Sequence, residues 1–221
     1  MNPRFQIPPL YPILDAARFL AALDPMAAMA EFVEDLVKGG ATLIQYRNKS
    51  ANTRAMLSHA RELRRITLGR AELIMNDRTD LCIAAGCDGV HLGQDDLSPV
   101  AARRILESVL PDASGEKRQW WIGFSTHNLE QIAEAEQMPV DYIAVGPVFA
   151  TVSKDNPDPV IGLEGVRRAR QATSKPLVAI GGITRKNCGQ VMEAGANSVA
   201  VISDLVESPS TATEQFLRLL R

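Results

Sequence analysis

Cysteine is scarce in this chain of 221 residues: Cys82, Cys87 and Cys188 are the only three, with no CxxC pairing and no histidine at metal-ligand spacing. That excludes a disulfide framework and a cysteine-built zinc site, and it fits small apolar residues buried in a reducing compartment. An excess of either charge is also missing. With 24 basic and 26 acidic residues the formal net charge is -2, which argues against a general nucleic-acid or membrane surface, so any anion must be bound by individually placed residues. No stretch approaches the roughly 18 apolar residues of a membrane span. The opening MNPRFQIPPLYP has one arginine but no apolar segment after it, so no signal peptide is expected and the expected location is cytoplasmic. There is no Ser-His-Asp arrangement, nucleophilic cysteine or glycosidase-like carboxylate pair. What the chain does have is 46% hydrophobic content, ample for one core, and we expect a single domain over residues 1–221 with a lead-in over 1–10.

Short apolar runs alternate with helical patterns. The runs are Tyr11–Asp15, Ala41–Arg47, Glu72–Asp77, Gly89–Gly93, Trp120–Thr126, Asp141–Phe149, Pro176–Ile183 and Ser198–Ser203. Between the first two, Asp24-Pro25 reads as an N-cap followed by proline at the first helical position. Met26, Met29, Val33, Leu36 and Val37 follow at helical spacing, and Gly39-Gly40 closes the helix. A helix–glycine–strand junction recurs at Lys38–Tyr46, Ala84–Leu92 and Glu193–Ile202, where glycine suits the left-handed residue that ends a helix. The last helix is expected over Thr211–Leu220. Eight βα units with near-continuous apolar strands predict an α/β fold, a (β/α)8 TIM barrel, with an open doubly wound sheet as the alternative. Two irregular segments remain, a polar connection over 111–119 and a proline-containing loop over 150–162. The latter follows the sixth strand at a length typical of lids and binding loops.

In such a barrel the active site forms at the C-terminal ends of the strands. The second strand ends in Gln45-Tyr46-Arg47-Asn48-Lys49. Alternation puts Gln45, Arg47 and Lys49 on one face, a binding surface or a solvated basic strand end. The third strand delivers Asn76 and Asp77, and the fourth Gln94, Asp95 and Asp96. Carboxylates there can grip a hard divalent cation, usually Mg2+, completed by phosphate. They can also act as caps: Asp77 or Asp80 on the next helix, Asp96 on the helix after Ser98-Pro99. The fifth strand ends in Ser125-Thr126-His127, with hydroxyls that can bond substrate or cap a helix. His127 suits a supporting role, His59 is expected at the surface, and His91 lines the barrel without a catalytic role. Thr151-Val152-Ser153-Lys154 flanks a lysine with hydroxyls, and Gly181-Gly182 and Ile202-Ser203 close strands seven and eight, where barrels frequently bind phosphate through backbone N–H groups. These ends predict one anion site near strands seven and eight and a metal-assisted one near strands two to four. Two anionic ligands across one barrel mouth suit a group transfer with pyrophosphate departing.

The segments IQYRNK, LIMNDRTDL, GVHLGQDDL, IGFSTH, DYIAVGPVFATVSK, VAIGGI and AVIS occur in the order of the thiamine phosphate synthase family, which the chain resembles from about Tyr11 to Ser203. The resemblance implies a barrel that joins 4-amino-2-methyl-5-hydroxymethylpyrimidine diphosphate to a thiazole phosphate, giving thiamine phosphate and pyrophosphate. It implies Mg2+ on Asp77 and Asp96. It assigns the pyrimidine diphosphate to the Gln45–Lys49 segment with Asn76, Ser125 and Lys154, and the thiazole phosphate to Thr151, Val152, Ser153, Gly182, Ile202 and Ser203. Arg47, Lys49, Ser125 and Lys154 would serve the chemical step. Three positions depart from the family's frequent residues: Asn48, whose side chain is expected to point away, Ala150 for proline and Ser153 for threonine. The nearest rival, the sister family of thiazole tautomerases, lacks the diphosphate-handling set retained here. A non-catalytic barrel that binds a phosphate ligand is a rival of another class.

Overall fold

The structure, a computed structural model, describes residues 6–49, 52–110, 118–151 and 158–221. Eight strands alternate with eight α-helices: β1 Leu10–Asp15, α1 Pro25–Lys38, β2 Leu43–Arg47, α2 Thr53–Thr67, β3 Glu72–Asn76, α3 Thr79–Ala85, β4 Gly89–Leu92, α4 Pro99–Glu107, β5 Trp121–Thr126, α5 Leu129–Glu136, β6 Tyr142–Val145, α6 Gly162–Ala172, β7 Leu177–Ile180, α7 Cys188–Glu193, β8 Ser198–Val201 and α8 Pro209–Leu219. The strands form a closed parallel barrel in chain order, sealed where β1 pairs with β8 through Leu10↔Val199, Tyr11↔Ala200 and Pro12↔Val201. This is the (β/α)8 architecture expected from the apolar runs.

Alternation along the strands builds two cores. Inside the barrel, Ile7, Tyr11, Ile13, Leu43, Ile74, Trp121, Tyr142, Ala144, Val178 and Ala200 pack on one another. Outside it, the intervening residues (Leu14, Ile44, Leu73, Met75, Val90, Ile122, Ile143, Leu177 and Val199) meet the apolar stripes of the helices. Each such aliphatic side chain contributes roughly 1.5–3 kcal/mol on burial. The large inner rings fit because glycines face them. A Cβ on Gly89 would lie 2.4 Å from the Cβ of Trp121, and one on Gly123 would lie 2.0 Å from the Tyr142 ring.

The Asp24 cap is present, its Oδ1 accepting from Met26 N at 3.1 Å and Ala27 N at 3.0 Å, with Pro25 opening α1. Several strands stop short of their apolar runs. The sixth run, expected to reach Phe149, ends as a strand at Val145. Pro147 has no N–H to continue the ladder, and the chain instead bonds β7's exit loop through Val148 N to Ile180 O at 2.8 Å and Phe149 N to Gly181 O at 3.0 Å. The seventh and eighth strands likewise end at Ile180 and Val201, leaving Gly181 to Ile183 as a rim loop and Ile202 leading into a short 3-10 helix, Ser203–Leu205. His59 corrects the surface expectation: it is half-buried between α2 and the barrel, 3.0 Å from the Tyr46 hydroxyl.

Candidate active site

A cavity of about 510 Å3 opens at the C-terminal rim. Gln45, Arg47, Lys49, Asn76, Asp77, Asp96, Ser125, Thr151, Gly182, Ile202 and Ser203 all line it, drawn from six strand ends and the loop after β6. Tyr46 and Asn48 do not: the Asn48 side chain points away as expected, and that of Tyr46, placed among the binding residues from the sequence, does too. An odd–even alternation that aims Gln45 and Arg47 inward must aim Tyr46 outward. Its ring is fully buried against α2, where its hydroxyl meets Asn48 Nδ2 at 2.9 Å and His59 Nδ1 at 3.0 Å. Val152, Ser153 and Lys154 lie outside the described residues.

The basic and acidic groups interlock on one wall. Arg47 Nη1 donates to Asp15 Oδ2 at 2.6 Å, and Lys49 Nζ donates to Asp77 Oδ2. Asp77 adopts φ 64°, a left-handed conformation rare for residues other than glycine but better tolerated by Asp than most. Neither Asp77 nor Asp96 caps the helix that follows it. The N-cap of α3 is Arg78, without a side-chain bond, and Ser98 Oγ caps α4 by accepting from Ala101 N at 3.3 Å. Asp96 Oδ2 instead accepts from Gly93 N at 2.7 Å. Burial, and then the adjoining Asp77, push its carboxyl above the ordinary range despite that bond. Ser125 and Thr126 are not caps either: Asn128 caps α5, and Thr126 Oγ1 donates to Ala144 O at 2.9 Å.

Among the described residues no three His, Cys, Asp or Glu side chains gather around a metal position. Asp77 and Asp96 nevertheless form a close pair of hard oxygen donors whose mutual repulsion shows in the raised Asp96. That donor set suits Mg2+, which takes one or two carboxylates and fills its remaining positions with water and phosphate oxygens. Beside it, Asn76 Nδ2 is buried without a partner among the described residues at the cavity wall, a donor available to a ligand.

Opposite this wall, Gly182 has φ 62°, and a Cβ there would lie 2.5 Å from Ala150 O. Only glycine lets the two rim loops approach this closely. Asn187 Nδ2 donates to Gly182 O at 3.1 Å, and Arg18 Nη2 donates to Ser203 Oγ at 2.7 Å. The cavity floor is a buried polar file that runs through Gln45, Tyr11, Tyr142, His91 and Ser125. Burial holds the His91 imidazole down to about 4 and pushes both tyrosine hydroxyls up. At the rim, Gln94 Nε2 donates to Ser125 O at 2.5 Å, and His127 Nδ1 lies 2.8 Å from Gly146 O and 3.3 Å from Asp158 Oδ2.

Sequence reasoning missed Asp15, Tyr11 and Tyr142, placed Gln94 at the strand end without giving it a role, and had His91 line the barrel without a catalytic role. For Asp15 a signal existed: an acid at the inward end of the first strand, level with Arg47 in the β1–β2 register.

Residues 10–205 match the family described as thiamine monophosphate synthase. The chain is 51% identical to the thiamine-phosphate synthase of Koribacter versatilis over 215 residues, covering 97% of each. It is 43% identical to that of Chloroflexus aurantiacus over 190 residues, 85% of this chain and 83% of that one. Among solved structures it resembles the thiamine phosphate pyrophosphorylase of Pyrococcus furiosus, with a TM-score of 0.78 and 33% identity over 96% of this chain and 95% of that one.

Proposed function

The chain belongs to the thiamine monophosphate synthase family, and we propose that it joins 4-amino-2-methyl-5-hydroxymethylpyrimidine diphosphate to a thiazole phosphate, releasing pyrophosphate. The observation that carries this reading is the division of one cavity into two anion-handling walls. Arg47, Lys49, Asp77 and Asp96 occupy one, and Gly182, Ile202 and Ser203 the other. An enzyme that binds a single phosphate ester needs only the second.

The C–O bond between the pyrimidine methylene and the diphosphate breaks with its electron pair leaving on pyrophosphate. The thiazole nitrogen then supplies the pair for the new C–N bond. No strong base is required; the protein must stabilise the departing charge and align the nitrogen. Mg2+ held by Asp77 and Asp96 would supply counter-charge to the diphosphate when bound. Arg47 and Lys49 place fixed positive charge on the same wall, and Lys154 is assigned to this ligand from its place in the loop motif. Asn76 Nδ2 offers a donor that no described protein group uses, and Gln45 and Ser125 face the ring from the floor. Asp15 holds the Arg47 guanidinium in the cavity rather than in solvent. On the far wall, Gly182 and Ser203 bring backbone and hydroxyl donors to the thiazole phosphate. No helix among the described residues is long and apolar enough to cross a membrane, and the cysteines are buried and unpaired, which supports a cytoplasmic enzyme acting on small-molecule phosphates.

The test is formation of thiamine phosphate and pyrophosphate from the two substrates, with each omitted in turn. Both products should require both substrates. A protein that binds either ligand but forms no thiamine phosphate would be a binding barrel, and the reading would fail.

A further inference from the structure

The wall proposed for the thiazole phosphate has no Lys or Arg side chain of its own among the described residues that line the cavity. Arg47 and Lys49 line the opposite wall, and each is paired there, with Asp15 and Asp77. After β7, Arg185 is committed to Asp204, through its backbone N at 2.8 Å and its Nε at 3.0 Å, and to Gln215. Lys186 brings only its backbone N–H to a lining residue, Thr184. Backbone and hydroxyl donors on this wall therefore meet a phosphate monoester without a counter-charge.

The chain leaving β1 supplies one. β1 lies beside β8, with Pro12 level with Val201, so its exit runs along Ile202 and Ser203. It turns there into a short 3-10 helix, Ala16–Phe19, held at both ends. Asp15 Oδ1 accepts from Ala17 N at 3.2 Å, and the Phe19 ring packs on Phe32 of α1 with centroids 5.3 Å apart. Between these anchors stands Arg18, whose Nη2 donates to Ser203 Oγ at 2.7 Å. Its exposed guanidinium has no carboxylate partner among the described residues, since Asp204, the acid next to Ser203, is taken up by Arg185.

An exposed arginine–serine bond contributes little to the fold. Its effect on the hydroxyl is larger. A guanidinium only donates, so Ser203 Oγ spends a lone pair on Arg18 and keeps its own proton to give. Ser203 lines the cavity, and an anion bound there can accept that proton's hydrogen bond. The remaining N–H groups of the guanidinium stand just behind the same hydroxyl, in the fork geometry that suits phosphate oxygens.

We propose that Arg18 is a specificity residue for the thiazole phosphate: it fixes the Ser203 hydroxyl as a donor and sets a counter-charge beside the monophosphate. The inference rests on the proposed placement of that phosphate at Gly182 and Ser203. Asp15 then serves both walls, because its Oδ2 accepts from Arg47 at 2.6 Å while its Oδ1 caps the turn that carries Arg18.

The experiment compares kcat/KM for the thiazole phosphate and for its dephosphorylated alcohol, with the pyrimidine diphosphate saturating. Arg18→Ala should lower the value for the phosphate by about 10–100-fold, the range of a hydrogen bond to a charged group. The value for the alcohol should not change, nor should KM for the pyrimidine diphosphate. Arg18→Lys keeps the charge without the fork and should recover part of the loss. An undiminished preference for the phosphate in Arg18→Ala overturns the proposal. So does an equal loss for phosphate and alcohol, which a merely structural rim contact would produce. Calorimetry separates this inference from the proposed reaction: thiazole phosphate is titrated into parent and Arg18→Ala with Mg2+ and pyrophosphate filling the other wall. If the variant binds it more weakly but the parent forms no thiamine phosphate, Arg18 stands and the synthase reading falls. If the two bind it equally and the parent forms thiamine phosphate, the role of Arg18 alone falls.

Discussion

Replacing Asp96 by asparagine separates the metal-site reading from a structural one. Asp96 Oδ2 accepts from Gly93 N at 2.7 Å, and an asparagine oxygen can accept the same bond. The lost charge is one the fold holds at a disadvantage, since burial and Asp77 push the Asp96 carboxyl above its ordinary range. No helix cap is lost either, because Ser98 already caps α4. Stability should therefore change by less than about 1 kcal/mol, a shift in Tm within about 2–4 °C for a chain of this size. On the proposed metal site, catalysis should respond far more strongly, because the diphosphate would lose one of the two carboxylates proposed to anchor its counter-ion. A loss of about 10²–10³ in kcat is the usual effect of removing one such electrostatic contact, and it should be partly recovered at high Mg2+. Thermal melting and thiamine phosphate formation across a Mg2+ series measure both quantities on one preparation. A parental rate with parental Mg2+ dependence would refute the assignment of Asp96 to the cation. A fall in Tm large enough to account for the lost activity would refute the claim that its role is not structural.

Excess chelator should abolish product formation, restored by added Mg2+; full activity in chelator would remove the metal from the reading. Lys154→Ala should lower kcat/KM for the pyrimidine diphosphate by about 10²-fold with little change in thiazole phosphate binding, and equal losses in steady-state kinetics for both would count against its assignment. At the opposite end of the barrel, burial and the neighbouring Asp88 push Glu72 from 4.5 up to about 7. The folded state then holds the Glu72 proton more tightly than the unfolded chain. Its stabilising contribution is full below about pH 4.5 and is lost as pH rises through 7. Urea midpoints measured between those limits should fall for the parent and stay flatter for Glu72→Gln; parallel curves would show that Glu72 does not carry the dependence.

The barrel was legible because its outward faces are continuous. Each strand must bury one side against helices and the other inside the barrel, so runs such as Leu73-Ile74-Met75 carry no polar break and stand out against the helical periodicity around them. Strand ends were less legible where proline intervened: the apolar run through Val148 and Phe149 continues past the strand because those residues pack and bond as a loop. The same period-two rule divides the Gln45–Lys49 segment, which the family motif treats as one unit. Gln45, Arg47 and Lys49 reach the cavity, whereas Tyr46 and Asn48 bond each other and face α2.

The cavity floor was hidden for a different reason. Tyr11 and Tyr142 are 131 residues apart, and nothing in the local pattern of either strand marks its hydroxyl as part of a site. Their placement does leave one trace in the sequence, through volume. The strand register sets Gly123 beside Tyr142 and Gly89 beside Trp121, and in both pairs a Cβ on the glycine would collide with its neighbour. A glycine inside a parallel strand weakens that strand, so two of them on adjacent strands need a reason. The reason is room for the Trp121 ring beside Gly89 and for the Tyr142 ring, a member of the polar file, beside Gly123. Gly123→Ala would have to displace the Tyr142 ring and, with it, the hydroxyl that joins Tyr11 to His91. Gly123, inside β5, is thus the readable counterpart of a floor whose polar members could not be paired without the register.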